Sequence, residues 1–263
     1  MSINDIKSGL NKLLGRDKVH DNAASNKAVQ SRKQTPAAAR QAQDIQAFLS
    51  EVSKLPPVNH QGGGRLVFAL DATASRENTW DQAMQLQAEM FTSAQSLGGL
   101  QVQLAYFRGF AEFRASDWTQ DSSRLLSLMT GIRCEAGTTK IERLLNHLLK
   151  ETRQNKIHAV VYIGDSMEES ADVLCQRAGE LGLLNVPLFM FQEGDDPGAR
   201  RCFKEMARLS GGAYAPFDHR SADQLRDLLK AVAIYASGGL KALQDFSQRA
   251  HPDVRLLGHQ LKS

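Results

Sequence analysis

The sequence predicts an α/β fold, doubly wound around a mainly parallel sheet with one antiparallel edge strand and helices on both faces. A helical, partly disordered N-terminal extension precedes it. Two observations carry this prediction. From Arg65 onward, short apolar runs alternate with longer stretches of helical character, the pattern of βα units with right-handed crossovers. The runs are also apolar at consecutive positions instead of every second one, as in strands buried on both faces.

The runs are RLVFALD (65–71), VQLAYFRG (102–109), HAVVYIGD (158–165) and VPLFMFQ (186–192). AEFRASDW (111–118) follows the second run after a tight turn near Arg108-Gly109 and reads as the antiparallel edge. Helices are expected over Glu77–Ser96, Ser122–Met129, Thr139–Arg153, Glu168–Leu181, Gly198–Leu209 and Ala222–Ala236. The loop TGIRCEAGTT lies between the second and third of them.

Residues 1–64 read as an extension and linker, 65–237 as the domain, and 238–263 as a C-terminal tail. Ile3, Ile6, Leu10, Leu13 and Leu14 fall on one side of a first helix, with Lys7, Lys12 and Arg16 around them. The polar stretch 15–36 is too poor in large apolar residues to fold alone. A second helix is expected from Pro36 to Leu55, before the linker PPVNHQGGGR. The first helix lacks an aromatic anchor, so docking on its own body is preferred to membrane-surface contact.

The extension carries nine Lys/Arg and five Asp/Glu, a net of +4 against +3 for the whole chain, which leaves the remainder at −1. A body so near neutrality gives no reason to expect nucleic acid as a partner. Cys134, Cys175 and Cys202 form no C-x-x-C and suit reduced thiols in a cytoplasmic protein. The N-terminus shows no continuous apolar segment of a signal peptide.

Asp71-Ala72-Thr73-Ala74-Ser75 follows the first apolar run, where Asp71 or Ser75 alone could serve as an ordinary cap for the helix from Glu77. Two further loops strengthen another reading. AGTTK places Thr138 before a helix, and VVYIGDS places Asp165 at a second strand end. Ligands of open parallel sheets collect at the carboxyl ends of the strands. Carboxylates and hydroxyls without His or Cys select a hard cation: Mg2+, with Mn2+ or Ca2+ as alternatives.

On these residues the sequence resembles the von Willebrand factor A (VWA) domain family, which is Rossmann-like, and its metal-ion-dependent adhesion site (MIDAS). The resemblance spans about residues 65–236. It implies that Asp71, Thr73, Ser75, Thr138 and Asp165 ligate the ion. Thr73 stands where Ser is commoner, and the sequence around Asp165 departs from the family's Asp-Gly. The implied function is a non-enzymatic bacterial cytoplasmic module that coordinates a partner protein's Asp or Glu. A MoxR-type AAA+ ATPase or its substrate is the implied partner.

A rival reading is a Mg2+-dependent phosphohydrolase of the haloacid dehalogenase type, with Asp71 as nucleophile and Thr138, Lys140 and Asp165 in supporting order. Position 73 is Thr where that chemistry needs a second acid to protonate the leaving group. Lys140 reads as a solvated lysine at a helix start. His147 and His158 lack metal spacing and read as surface or satisfied interior residues. Cys134 reads as a small buried thiol and Trp80 as core. QGGGR precedes its strand and lacks Gly-Lys-Ser/Thr, so it is no phosphate loop.

Overall fold

The computed structural model describes residues 43–44, 46–48, 50–52, 63–77, 100–217, 227–239 and 242. The first expected helix, the polar stretch, Trp80 with nearly all of the helix 77–96, and the tail beyond 242 lie outside the described residues.

Six strands form one sheet: β1 (Arg65–Asp71), β2 (Gln101–Arg108), β3 (Glu112–Ala115), β4 (Ala159–Gly164), β5 (Leu188–Glu193) and β6 (Ala213–Phe217). Their order is β3-β2-β1-β4-β5-β6, with β3 antiparallel to β2 and every other pairing parallel. The order reverses between β1 and β4. In open parallel sheets, a crevice for ligands forms at the carboxyl ends of the strands at such a reversal.

Side chains alternate strictly between two cores, because successive residues of a strand face opposite ways. Leu66, Phe68 and Leu70 of β1 join Val161 and Ile163 of β4 and Phe189 and Phe191 of β5 on one face. Helix α1 (Ser122–Thr130) and the helical run α5 (227–239) cover that face through Leu125, Met129, Leu229 and Val232. Val67, Ala69, Val160, Tyr162, Leu188 and Met190 point the other way. They meet α2 (Ile141–Gln154), α3 (Ala171–Leu183) and α4 (Pro197–Ser210).

The helices form where pattern and caps agree. In α2, Ile141, Leu144, Leu145, Leu148 and Leu149 are buried at spacings of three and four, so one stripe faces the sheet. The Asp121 carboxylate caps α1 by accepting from the amides of Ser123 (2.8 Å) and Arg124 (3.2 Å). Asp196 does the same for α4 at Ala199, beside Pro197 in the first turn.

Two findings go beyond the sequence reading. Residues 213–217, assigned to no element there, form β6. It is only five residues long, and Pro216 cannot donate to a ladder, which hides a strand from pattern reading; an edge position tolerates the proline. The described residues of the second expected helix, within 43–52, belong to the core rather than to a linker. Phe48 and Val52 are buried, with the Phe48 ring 5.9 Å from Phe189 and 5.6 Å from Phe191. Burying a Phe side chain contributes roughly 1.5–3 kcal/mol, enough to fix the segment on β5. Among the described residues, no helix is long and apolar enough to cross a membrane.

Candidate functional site

β1 delivers Asp71 to its carboxyl end with the side chain fully buried. One carboxylate oxygen, Oδ1, accepts from the Thr73 amide at 2.8 Å. That bond turns the chain through a short 3-10 segment, Ala74–Arg76, and the Thr73 and Ser75 hydroxyls end 3.1 Å apart. The helix from Glu77 that Asp71 or Ser75 could cap lies almost wholly outside the described residues; the 3-10 segment before it has Thr73 as N-cap and no side-chain cap. The other oxygen, Asp71 Oδ2, is buried without a hydrogen-bond partner. Burial pushes the Asp71 carboxyl up to about 6; the hydrogen bonds from Thr73 and the charge of Arg76 oppose this, and the charge of Asp165 adds to it.

Arg76 went unnoticed in the sequence, where an arginine near a helix start reads as solvated. It is almost fully buried. Its guanidinium donates to the Asp71 carbonyl (2.8 Å), the Ile163 carbonyl (3.3 Å) and Glu193 Oε2 (3.1 Å). One side chain thereby ties the ends of β1, β4 and β5 beneath the crevice.

The loop 131–140 reaches the same end of the sheet by backbone contacts. Glu135 donates its amide to the Ala72 carbonyl (3.1 Å) and forms a parallel bridge with Thr73. Gly137 lies so close to Gly109 of the β2–β3 turn that a Cβ there would overlap the Gly109 backbone, so only glycine fits. Arg108 adds an ion pair to Glu135 (3.2 Å). Thr138 follows, and its hydroxyl accepts from Lys140 Nζ. That ammonium also reaches the Thr138 and Thr139 carbonyls, each at 3.3 Å. Lys140 is thus folded back on its own loop, not solvated as expected.

Asp165 follows β4 directly, half-buried, with Ser166 Oγ donating to its Oδ1 at 3.4 Å. The next residues staple this loop to the Thr138 loop. Glu168 Oε2 accepts from the Thr139 amide (2.9 Å) and hydroxyl (2.8 Å). Glu169 accepts from the amides of Ile141 (2.8 Å) and Glu142 (2.9 Å). Lys140 gives α2 no side-chain cap, so the helix takes its cap from a carboxylate 28 residues downstream of Ile141.

The structure therefore unites Asp71, Thr73 and Ser75 directly and sets Asp165 within charge range across the crevice. Thr138 arrives on a loop stapled to that of Asp165, but its hydroxyl is bonded to Lys140. Among the described residues, no group of three or more His, Cys, Asp or Glu could hold a metal. A cation here would depend on two carboxylates and hydroxyls, a donor set for a hard ion. The orphaned Asp71 Oδ2 fits such an ion, since a buried carboxylate oxygen without a donor is costly.

His147 and His158 are satisfied groups, one of the two readings expected for them: His147 Nε2 lies 2.9 Å from Gln103 Oε1, and His158 Nδ1 accepts from the Arg65 amide at 2.9 Å. Cys134 is half-buried beside the core, and burial first pushes its thiol up to about 11, far from a reactive thiolate.

No protein-family model and no curated protein matches the chain. Solved structures do match it. The VWA domain of SpRpn10 aligns at 15% identity with a TM-score of 0.52, over 64% of this chain and 94% of that one. A von Willebrand factor type A protein from Catenulispora acidiphila aligns at 15% identity and TM-score 0.51, over 66% of this chain and 43% of that one. The pilus adhesin SpaC from Lactobacillus rhamnosus GG, in its open conformation, gives 12% identity and TM-score 0.56, over 72% and 31%. Likeness at such identities is a likeness of fold.

Proposed function

From the VWA fold of this chain, we propose a metal-dependent protein-binding module without catalytic activity, which takes an Asp or Glu of a partner protein at the β1/β4 crevice. The observation that carries this reading is Asp71 Oδ2, buried and without a partner at the strand-end crevice beside two hydroxyls. Asp71, Thr73, Ser75, Thr138 and Asp165 would hold Mg2+, with Mn2+ or Ca2+ as alternatives. The ion, when bound, supplies an electrophilic position that a partner carboxylate can occupy in place of water.

The chain's own groups do the arranging. Asp71 and Asp165 offer two negative charges against a dication, and the hydroxyls add neutral oxygen. Arg76 holds the Asp71 backbone and offsets Glu193, so the carboxylate is aimed without leaving a second buried acid unbalanced. Thr138 must exchange Lys140 for the ion, which requires only that the lysine swing outward. A MoxR-type AAA+ ATPase or its substrate, in the cytoplasm, is the partner this reading favours. Nothing in the geometry favours the phosphohydrolase: position 73 lacks the second acid, and Lys140 is engaged by its own loop.

The test is a Mn2+ or Mg2+ titration followed by thermal and urea unfolding. Stability should rise by about 2.7 kcal/mol at a hundredfold excess over Kd. Asp71→Asn should lose that response. A wild type that binds neither ion overturns the reading, and phosphatase turnover abolished in Asp71→Asn would replace it with the hydrolase.

A further inference from the structure

Tyr162 sits on β4 three residues before Asp165, facing α2, α3 and α4. Its ring is wedged between Phe107, with centroids 6.4 Å apart, and Phe203, edge-on at 5.4 Å. A ring held from both sides cannot swing, so the hydroxyl has one place to be. That place is Gly164: a Cβ on this glycine would meet the Tyr162 hydroxyl and lie 2.8 Å from its Cζ. Position 164 must stay without a side chain for the phenol to reach the strand end.

The hydroxyl so delivered is buried and has no hydrogen-bond partner. An unmade hydrogen bond of a buried hydroxyl costs about 1–3 kcal/mol. Phenylalanine would fill the same space without that cost, as Phe107 and Phe203 do beside it. Burial, followed by the charge of Asp71, pushes the phenol well above its ordinary pKa; Asp165 and Glu169 add to this and Arg76 opposes it. The group therefore stays a donor throughout the physiological range, and it lies in the field of the two candidate ligand acids.

Near the carboxyl ends of β1 and β4, an acceptor, Asp71 Oδ2, and a donor, the Tyr162 hydroxyl, are thus both buried without a hydrogen-bond partner. They lack each other as partners and share a neighbourhood. We infer that Tyr162 is a positioning residue of the crevice, its hydroxyl donating to a water that enters with the cation and orienting that water toward the Asp71 and Asp165 carboxylates. The inference rests on the metal reading above, but it adds a residue that reading does not use.

Tyr162→Phe tests it with two readouts of opposite sign. In EDTA, urea unfolding should show the variant as stable as wild type or more so, since only an unpaired hydroxyl is removed. In Mn2+, free-ion titration by electron paramagnetic resonance should show affinity about tenfold weaker, the usual size when a group that orients metal ligands is lost. A stability loss in EDTA would mean that the hydroxyl has a protein acceptor, and unchanged Mn2+ affinity would mean that it plays no part at the crevice. Either overturns the inference. Silence of the wild type toward Mn2+ fails the metal reading and overturns the inference with it, because the water it orients enters with the cation. Mn2+ binding by the wild type with unchanged affinity in Tyr162→Phe fails the inference alone.

Discussion

The two sides of the crevice are held by different physics. On the β1 side, a buried arginine grips two strand-end carbonyls and a buried glutamate, so the loop 72–76 is anchored downward into the sheet. On the other side, the loops carrying Thr138 and Asp165 are held sideways, to each other, by carboxylates accepting from backbone amides. The first arrangement is costly to break and slow to yield. The second is made of bonds nearer to solvent, each worth about 1.5–3 kcal/mol at most. A site with one fixed and one yielding side can adjust around an occupant without unfolding.

The sharpest way to break this contrast is Arg76→Met. It keeps much of the bulk but leaves Glu193 and two carbonyls without their donor, and removal of one partner from a buried pair costs about 3–5 kcal/mol. Urea denaturation should show a loss of that order; a change under 1 kcal/mol would mean that the anchor is ornamental.

The next effect is one of pH. Because burial holds the Asp71 carboxyl at about 6 against an ordinary 3.8, the folded state binds its proton more tightly than the unfolded chain does. The favourable contribution is complete below about pH 3.8 and is lost as pH rises through about 6. In EDTA, Asp71→Asn should therefore gain on wild type between pH 4 and pH 7, by up to about 3 kcal/mol. A flat difference across that window would place the carboxylate in water.

Glu169→Ala is the mildest and probes the yielding side. Loss of an N-terminal cap costs about 0.5–2 kcal/mol. Hydrogen exchange should quicken at Ile141 and Glu142 while β1 remains protected. Equal quickening at Asp71 and Thr73 would show that the two sides are one unit after all.

Much of this was legible in the residues. Strands buried on both faces announce themselves as unbroken apolar runs, and a polar residue ending such a run marks the sheet edge, which located Asp71 and Asp165. Hydroxyls at 73 and 75 followed from spacing. What stayed hidden depends on distance along the chain. Arg76 meets Glu193 across 117 residues, and Glu169 caps a helix that begins 28 residues earlier. No local pattern encodes either contact. Tyr162 lay inside an apolar run and read as core, which its ring is; only its hydroxyl sets it apart. Phe48 was hidden by its place before the linker, because its partners Phe189 and Phe191 lie far along the chain and no local pattern announces the contact.

The sheet's two margins bear on how copies of this chain behave when crowded together. Among the described residues β3 and β6 end the sheet, and strand margins are where one molecule can template another into aggregates. β3 has four residues, two of them Glu112 and Arg114, which pair with each other at 2.6 Å. β6 carries Pro216, which has no amide to offer an incoming strand. Charge and brevity guard one margin and a missing donor guards the other, so neither offers an incoming copy a full row of unpaired backbone groups.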